Sequence, residues 1–278
     1  KNLQIKLNMP SVSGSLIKES PRLMGVINLT TDSFSDGGHL FSGNKVDLSK
    51  ALRKVEKLIN EGADILDFGA ESTRPGFTEI PSQVQIDRLI PILEQIKDED
   101  IMISVDSRDY KVLYEASKFG MKFINDVSKN ISQKKLKLAK EKELFICTTH
   151  HGNKTKKTSN ILIDVDNFFQ AKEKSYLSKG INIKQCFFDP GFGYGKTPLE
   201  NIFMMTNINF FKKENRKILT GTSRKKSFAD FFKDTSKTKL SASLLSGIIC
   251  ALGGSNIIRS HEVKHLREEL EKLGIYER

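Results

Sequence analysis

Ala63-Asp64-Ile65-Leu66-Asp67-Phe68-Gly69-Ala70-Glu71-Ser72-Thr73-Arg74-Pro75-Gly76 is the stretch whose reading decides the fold. Its first part, residues 64–68, reads as a short buried strand. Its second part cannot pack a core. Glu71, Ser72, Thr73 and Arg74 are charged or hydroxylated, and Pro75-Gly76 turns the chain. Taken alone, this is either a solvated loop or a strand delivering chemistry to its C-terminal tip. The rest of the chain decides between the two, because the same event recurs.

Seven more short apolar runs end in the same way. Residues 23–27 end in the loop Asn28 to Gly38, which carries Asp32, Phe34 and Asp36. Residues 101–105 end in Asp106-Ser107, residues 122–124 in Asn125-Asp126, and residues 144–148 in Thr149-His150-His151-Gly152. Residues 185–188 end in Asp189-Pro190-Gly191-Phe192-Gly193-Tyr194-Gly195-Lys196, residues 217–220 in Gly221-Thr222-Ser223-Arg224-Lys225, and residues 256–258 in Arg259-Ser260-His261-Glu262. Helical spacing fills the intervals: 46–61, with Leu48, Leu52, Val55 and Ile59 on one stripe, then 81–97, 110–119, 134–143, 161–178 and 199–213. A two-part helical region follows at 226–232 and 240–252, and a last helix at 263–273. Gly62, Gly120 and Gly180 stand where helices stop.

Eight strands alternating with eight helices in 278 residues predict an α/β chain, a single-domain (β/α)8 TIM barrel over 23–278. Residues 1–22 read as an extended or hairpin segment before it. An open doubly wound sheet is the alternative, but it usually carries a glycine-rich phosphate turn after its first strand, and Met24-Gly25-Val26 is not one.

The composition excludes several classes. No run approaches the ~18 apolar residues of a membrane span. Lys1 to Met9 alternates polar and apolar residues, unlike a signal peptide. Position 1 is Lys rather than Met, consistent with residues or a fused domain upstream. The net charge of +11 would suit nucleic acid, a membrane surface or anionic substrates. The lysines are scattered, however, and clusters such as Lys134 to Lys137 and Lys154 to Lys157 lack interleaved aromatics. The charge therefore reads as solvated faces plus small anionic substrates, with no nucleic-acid or membrane partner. Cys147, Cys186 and Cys250 sit in apolar runs, and neither CxxC nor HExxH occurs, which predicts reduced packing cysteines in a cytoplasmic protein.

In a barrel, the C-terminal strand tips converge on one mouth. Asp106, Asn125 and Asp189 would then meet at the end of apolar walls. Carboxylates accept two adjacent N–H donors bidentately, and Asn both donates and accepts, so this set suits a flat heterocycle such as an amino-pyrimidinone. The bland reading is that each Asp caps the next helix. Ser223-Arg224-Lys225 and Arg259-Ser260-His261 follow strands seven and eight, where barrels often hold phosphate. The alternative is two surface basic clusters. Asn28, Asp32 and Asp36 are either helpers for a hard divalent cation beside a phosphate or ordinary turn residues. His150 and His151 are adjacent and would point apart, which argues against a two-histidine metal site.

These motifs, in this order, resemble the dihydropteroate synthases over residues 23–273: Met24 to Gly38, Glu71-Ser-Thr-Arg-Pro-Gly76, Asp106-Ser107, Asn125-Asp126-Val127, Asp189 to Lys196, Gly221 to Lys225 and Arg259-Ser-His261. The wider pterin-binding methyltransferases share the Asn-Asp and Asp-Pro-Gly segments but lack the Glu-Ser-Thr-Arg-Pro-Gly loop. The resemblance implies a transferase of folate biosynthesis and a target of sulfonamides. In that reaction p-aminobenzoate displaces pyrophosphate from 6-hydroxymethyl-7,8-dihydropterin pyrophosphate, with Mg2+, through early loss of pyrophosphate. It implies that Asp106, Asn125, Asp189 and Lys225 hold the pterin. Asn28, Thr73, Arg259 and His261 would hold pyrophosphate, with Mg2+ at Asn28. The catalytic set is Asp36, Asn28, Arg259, His261 and Lys225. Phe34, Thr73, Arg74, Pro75, Tyr194 and Lys226 would form the p-aminobenzoate pocket. It also implies a homodimer and a link, or a fusion, to the preceding pyrophosphokinase. The chain departs from the family at Thr31 (usually Pro), Ala70 (usually Gly), Tyr194 (usually Phe) and Glu262 (commonly Asp). It departs again after strand five, where Thr148-Thr149-His150-His151 replaces Met-His-Met and leaves two registers open.

Overall fold

Every apolar run of the sequence becomes a strand, and all eight lie parallel: β1 (Arg22–Asn28), β2 (Ile65–Gly69), β3 (Met102–Asp106), β4 (Met121–Asp126), β5 (Phe145–Thr149), β6 (Cys186–Asp189), β7 (Lys217–Thr220) and β8 (Ile257–Ser260). Each pairs with its neighbours in chain order, and β1 pairs with β8 to close the barrel, with Met24 opposite Arg259 and Gly25 opposite Ser260. This computed structural model describes residues 20–30, 40–42, 45–71, 79–128, 130–152, 160–213 and 216–276. The expected segment 1–22 falls mostly outside that set, although Arg22 already belongs to β1. The outer helices are α1 (Leu48–Asn60), α2 (Ser82–Ile96), α3 (Tyr110–Ala116), α4 (Gln133–Glu141), α5 (Ile161–Ser178), α6 (Pro198–Thr206), α7 (Lys226–Phe231), α8 (Leu240–Leu252) and α9 (Val263–Lys272). Among the described residues no helix is long and apolar enough to cross a membrane.

The structure differs from the sequence reading in three places. The helix expected over 199–213 stops at Thr206 and continues as a 3-10 turn at Ile208–Phe211. There Thr206 Oγ1 donates to the carbonyls of Ile202 and Phe203, and Asn207 Nδ2 also donates to Phe203, so side chains satisfy the last turn and the α-helix ends. A two-stranded ribbon, Phe41–Ser42 with Lys45–Val46, precedes α1. The strands also run past the apolar residues, so Asp106, Asn125, Asp189 and Arg259 sit on the sheet itself rather than in loops.

Inside the barrel, Met24, Ile65, Phe123, Cys147, Phe187, Leu219 and Ile257 form a closed apolar layer. The rings of Phe123 and Phe187 lie 5.2 Å apart. Each such side chain, fully buried, contributes ~1.5–3 kcal/mol. A larger apolar cluster joins the outer faces of the strands to the helices. Cys147, Cys186 and Cys250 are buried free thiols. Because side chains alternate along a strand, the positions two residues beyond the inner layer also face inward. They are Val26, Asp67, Asn125, Thr149, Asp189, Gly221 and Arg259, five of them polar. The apolar layer therefore floors a largely buried polar layer, the chamber, at the C-terminal end of the barrel.

Candidate active site

Asp67 lies at the centre of the chamber and is fully buried. Its Oδ1 accepts from Ser104 Oγ at 2.6 Å. Its Oδ2 accepts from Asn125 Nδ2 at 3.0 Å and from Arg259 Nε at 2.6 Å. Arg259 reaches on with Nη2 to Asp106 Oδ2 at 3.3 Å. Asp106 Oδ1 is buried and has no partner among the described residues, and so is Thr149 Oγ1. The sequence reading missed Asp67, which it took as part of a buried strand. The signal was present: Ile65 and Asp67 share one face of β2, so a carboxylate stands where the alternation calls for a core residue.

The capping alternative fails for Asp106, because Asp109 caps α3 by accepting from Lys111 N. Burial pushes Asp106 up to about 7; the nearby Asp67 adds to this, and the Arg259 guanidinium opposes it. Burial also raises Asp189, against the pull of Lys225 and a hydrogen bond from Gly191 N–H at 2.7 Å. Arg259 is raised as well, which in its case favours the charged form. Burial disfavours its charge, yet Asp67 and Asp106 more than offset that and raise it.

Lys225 begins the turn into α7. Its Nζ donates to Phe192 O at 2.5 Å and stands 5.4 Å from the centre of the Tyr194 ring. Burial lowers it to about 8, with Asp189 acting against the shift. Tyr194 in turn packs against His151, with ring centres 4.7 Å apart, and His151 Nε2 meets Val127 O at 2.6 Å. His150 turns outward onto Phe168 with ring centres 5.1 Å apart; burial lowers it to about 3 and it stays neutral. The two histidines therefore point apart, as expected, and Thr149 takes the inward position opposite Asp189.

The basic motifs after β7 and β8 are joined. Arg224 adopts a left-handed backbone with φ of 59° and pairs through Nε and Nη2 with Glu262 Oε1 at 2.8 and 2.5 Å. Ser223 Oγ accepts from His261 N–H at 3.2 Å and meets His261 Nδ1 at 3.0 Å. Arg224 thus holds the two loops together, and Lys225 is the member of that motif that faces the chamber. Lys196 is structural as well: its Nζ donates to the carbonyls of His150, Gly191 and Tyr194. Gly191 is required there, since its φ is 68° and a Cβ would lie 2.0 Å from His150 O.

Asn28 ends β1, half-buried. A Cβ on Gly69 would sit 3.7 Å from Asn28 Oδ1 and 3.8 Å from the Asp106 Cβ, so the glycine leaves a small space between these two side chains. Lys226 is exposed at the start of α7. Asp32, Phe34, Asp36, Thr73, Arg74 and Pro75 lie outside the described residues. The stem of the second of these loops is described: Glu71 accepts from Ile80 N at 3.2 Å and from Arg108 Nη2 at 2.7 Å. Among the described residues there is no cluster of three or more His, Cys, Asp or Glu side chains that could hold a metal.

A closed parallel barrel with buried carboxylates, a carboxamide, a lysine and an arginine at its C-terminal mouth is the arrangement of a (β/α)8 enzyme acting on a polar small molecule. The family described as "Pterin binding enzyme" matches residues 24–261. Dihydropteroate synthase of Haemophilus influenzae is 34% identical over 250 residues, covering 87% of this chain and 89% of that protein. The mitochondrial folate synthesis bifunctional protein of Arabidopsis thaliana is 32% identical over 266 residues, covering 87% of this chain and 47% of the plant protein. A Yersinia pestis dihydropteroate synthase, solved as a sulfonamide drug complex, superposes with a TM-score of 0.84 at 29% identity, covering 92% of this chain and 94% of that one. The chain belongs to the pterin-binding enzymes and, within them, to the dihydropteroate synthase family.

Proposed function

We propose that this chain is a transferase that joins 6-hydroxymethyl-7,8-dihydropterin pyrophosphate to p-aminobenzoate, releasing pyrophosphate and forming 7,8-dihydropteroate. The observation that carries the reading is the acceptor-lined chamber. Asp106 Oδ1 has no partner among the described residues, Asn125 is its neighbour on β4, and Asp189 is a further buried carboxylate at the tip of β6. A 2-amino-4-oxopyrimidine edge offers the N–H donors such a wall needs, and Lys225 supplies a donor to a ring acceptor. On this reading Arg259 and His261 hold the pyrophosphate. The C–O bond breaks with its electron pair passing to pyrophosphate, and Arg259 stabilises the charge that develops there. The amine lone pair of p-aminobenzoate then forms the C–N bond to the cationic methylene, and the resulting ammonium gives its proton to solvent. No side chain serves as a covalent nucleophile. Tyr194 is a wall of the p-aminobenzoate pocket, together with Lys226 and with Phe34, Thr73, Arg74 and Pro75. Asp36 and Thr73 complete the set in the reading of the sequence.

Mg2+ fits this donor set, because it takes few protein oxygens and relies on substrate phosphates. The oxygen of Asn28, beside the space at Gly69, would hold it, and when bound it would neutralise pyrophosphate charge. A homodimer and coupling to the enzyme that supplies the pyrophosphate belong to the same proposal. Leu199 and Phe203 on α6 and Leu245 and Leu252 on α8 are exposed apolar side chains on late helices, which supports the dimer.

The test is pyrophosphate release from the dihydropterin pyrophosphate with Mg2+, with and without p-aminobenzoate. Release matched by dihydropteroate formation is expected. Pterin binding without release would overturn the synthase reading and favour a pterin-binding barrel of another reaction.

A further inference from the structure

We infer that Asp67 is the positioning residue of this site: its buried carboxylate orients both Arg259 and Asn125, and so sets pyrophosphate binding and ring polarity together. The inference rests on the proposed function. It goes beyond the residues assigned above to substrate and metal, since Asp67 lies inside β2, ahead of the Glu71–Gly76 loop.

The carboxylate of Asp67 has no exposure to solvent and is surrounded by donors. One oxygen takes the Ser104 hydroxyl, and the other takes Asn125 Nδ2 and Arg259 Nε. A carboxylate only accepts, so Asn125 must turn its amide nitrogen toward Asp67 and its carbonyl oxygen away. That leaves the carbonyl, rather than the amide, to meet a ligand. Arg259 is gripped at Nε, the inner nitrogen of its guanidinium. The two terminal nitrogens are left to bridge outward, one of them toward Asp106. A guanidinium held in this way presents a planar fork to an anion without searching its rotamers. Asp67 also limits what Arg259 does to Asp106. Without a carboxylate at position 67, Asp106 is the carboxylate that the guanidinium already reaches by a hydrogen bond. Closer pairing there would cover the oxygen that a ring needs.

The Asp67→Asn variant tests this in the full-length enzyme. The amide can still accept from Arg259 and Asn125 and donate to Ser104, so the fold is expected to survive while the charge is lost. Inorganic pyrophosphate is the first probe, used as a product inhibitor with Mg2+ present. Its inhibition constant should rise at least about tenfold, while the KM for p-aminobenzoate stays within about twofold. A purely structural role would shift both together or neither. Unchanged pyrophosphate inhibition in folded Asp67→Asn would overturn the inference. Should that variant fail to fold, Arg259→Lys decides. A single ammonium cannot sit on Asp67 and also reach the anion, so pyrophosphate inhibition should fall as far as in Arg259→Ala. Wild-type inhibition in Arg259→Lys would equally overturn the inference. If the wild-type enzyme neither releases nor binds pyrophosphate, the proposed function fails instead, which keeps the two failures distinct.

Discussion

Replacing Asp106 by Asn should make the protein more stable and less able to bind its substrate, with a gain in stability that depends on pH. Asp106 is buried beside Asp67, and its carboxyl rises to about 7 in the folded chain from an ordinary 3.8. A carboxyl raised in this way favours the fold while it is protonated. That advantage is complete below the unfolded value and is lost as pH climbs through the folded value. With those two values, linkage gives a cost to the wild type of about 2 kcal/mol at pH 5 and about 4 kcal/mol at pH 8. Asn has the shape of the protonated acid and never ionises, so it escapes that cost while still accepting from Arg259. Chemical denaturation of both proteins at the two pH values is the assay. The stability gap should favour Asp106→Asn and widen by roughly 2–3 kcal/mol from pH 5 to pH 8. Calorimetry on the same variant should show weakened pterin binding. A gap that is flat with pH, or a variant less stable than wild type at pH 8, would refute the burial argument. Wild-type pterin affinity would refute the assignment of Asp106 to the ring.

Further expectations can be checked separately. The kcat/KM for the dihydropterin pyrophosphate should rise as Asp106 ionises through about 7 and fall as Lys225 loses its proton past about 8; a pH series should show the alkaline limb vanish in Lys225→Met. Gly191→Ala should cost at least ~2 kcal/mol, because a Cβ meets His150 O at 2.0 Å in a left-handed backbone; thermal unfolding measures it, and a neutral result would mean that the loop can rearrange. Thr149→Val removes a buried hydroxyl that has no partner among the described residues, so the ligand-free protein should gain ~1 kcal/mol in urea unfolding.

Most of the fold was legible because it is written in local patterns. Short apolar runs bounded by helical spacing marked all eight strands, and glycines such as Gly62 and Gly120, which adopt φ of 89° and 80°, marked helix ends. Parallel barrel strands are buried on both faces, so their apolar content is dense and easy to see. The helix at 199–213 was overrun because the side-chain hydrogen bonds of Thr206 and Asn207 that end it carry no periodicity. Of the residues proposed for the site, Asp106, Asn125, Asp189, Lys225, Arg259 and His261 stand out in the sequence as polar residues at or just past the ends of apolar runs.

By itself, the sequence determined the alternation of strands and helices, and from it the barrel, the polar tips and the family. These follow from hydrophobic spacing and ordered motifs, which are properties of neighbours along the chain. The tertiary structure alone decided which polar residues act together. Asp67 and Arg259 are 192 positions apart, yet they share a hydrogen bond of 2.6 Å. Lys135, read as part of a basic surface helix, is buried against Asp126. Arg224 and Lys225 are neighbours in the chain, but one ties two loops together and the other enters the chamber. Closure of the sheet brings strand tips from distant positions onto one axis, and burial there shifts Asp106, Asp189 and Lys225 toward their neutral forms. Neither closure nor burial is a property of any short stretch of sequence.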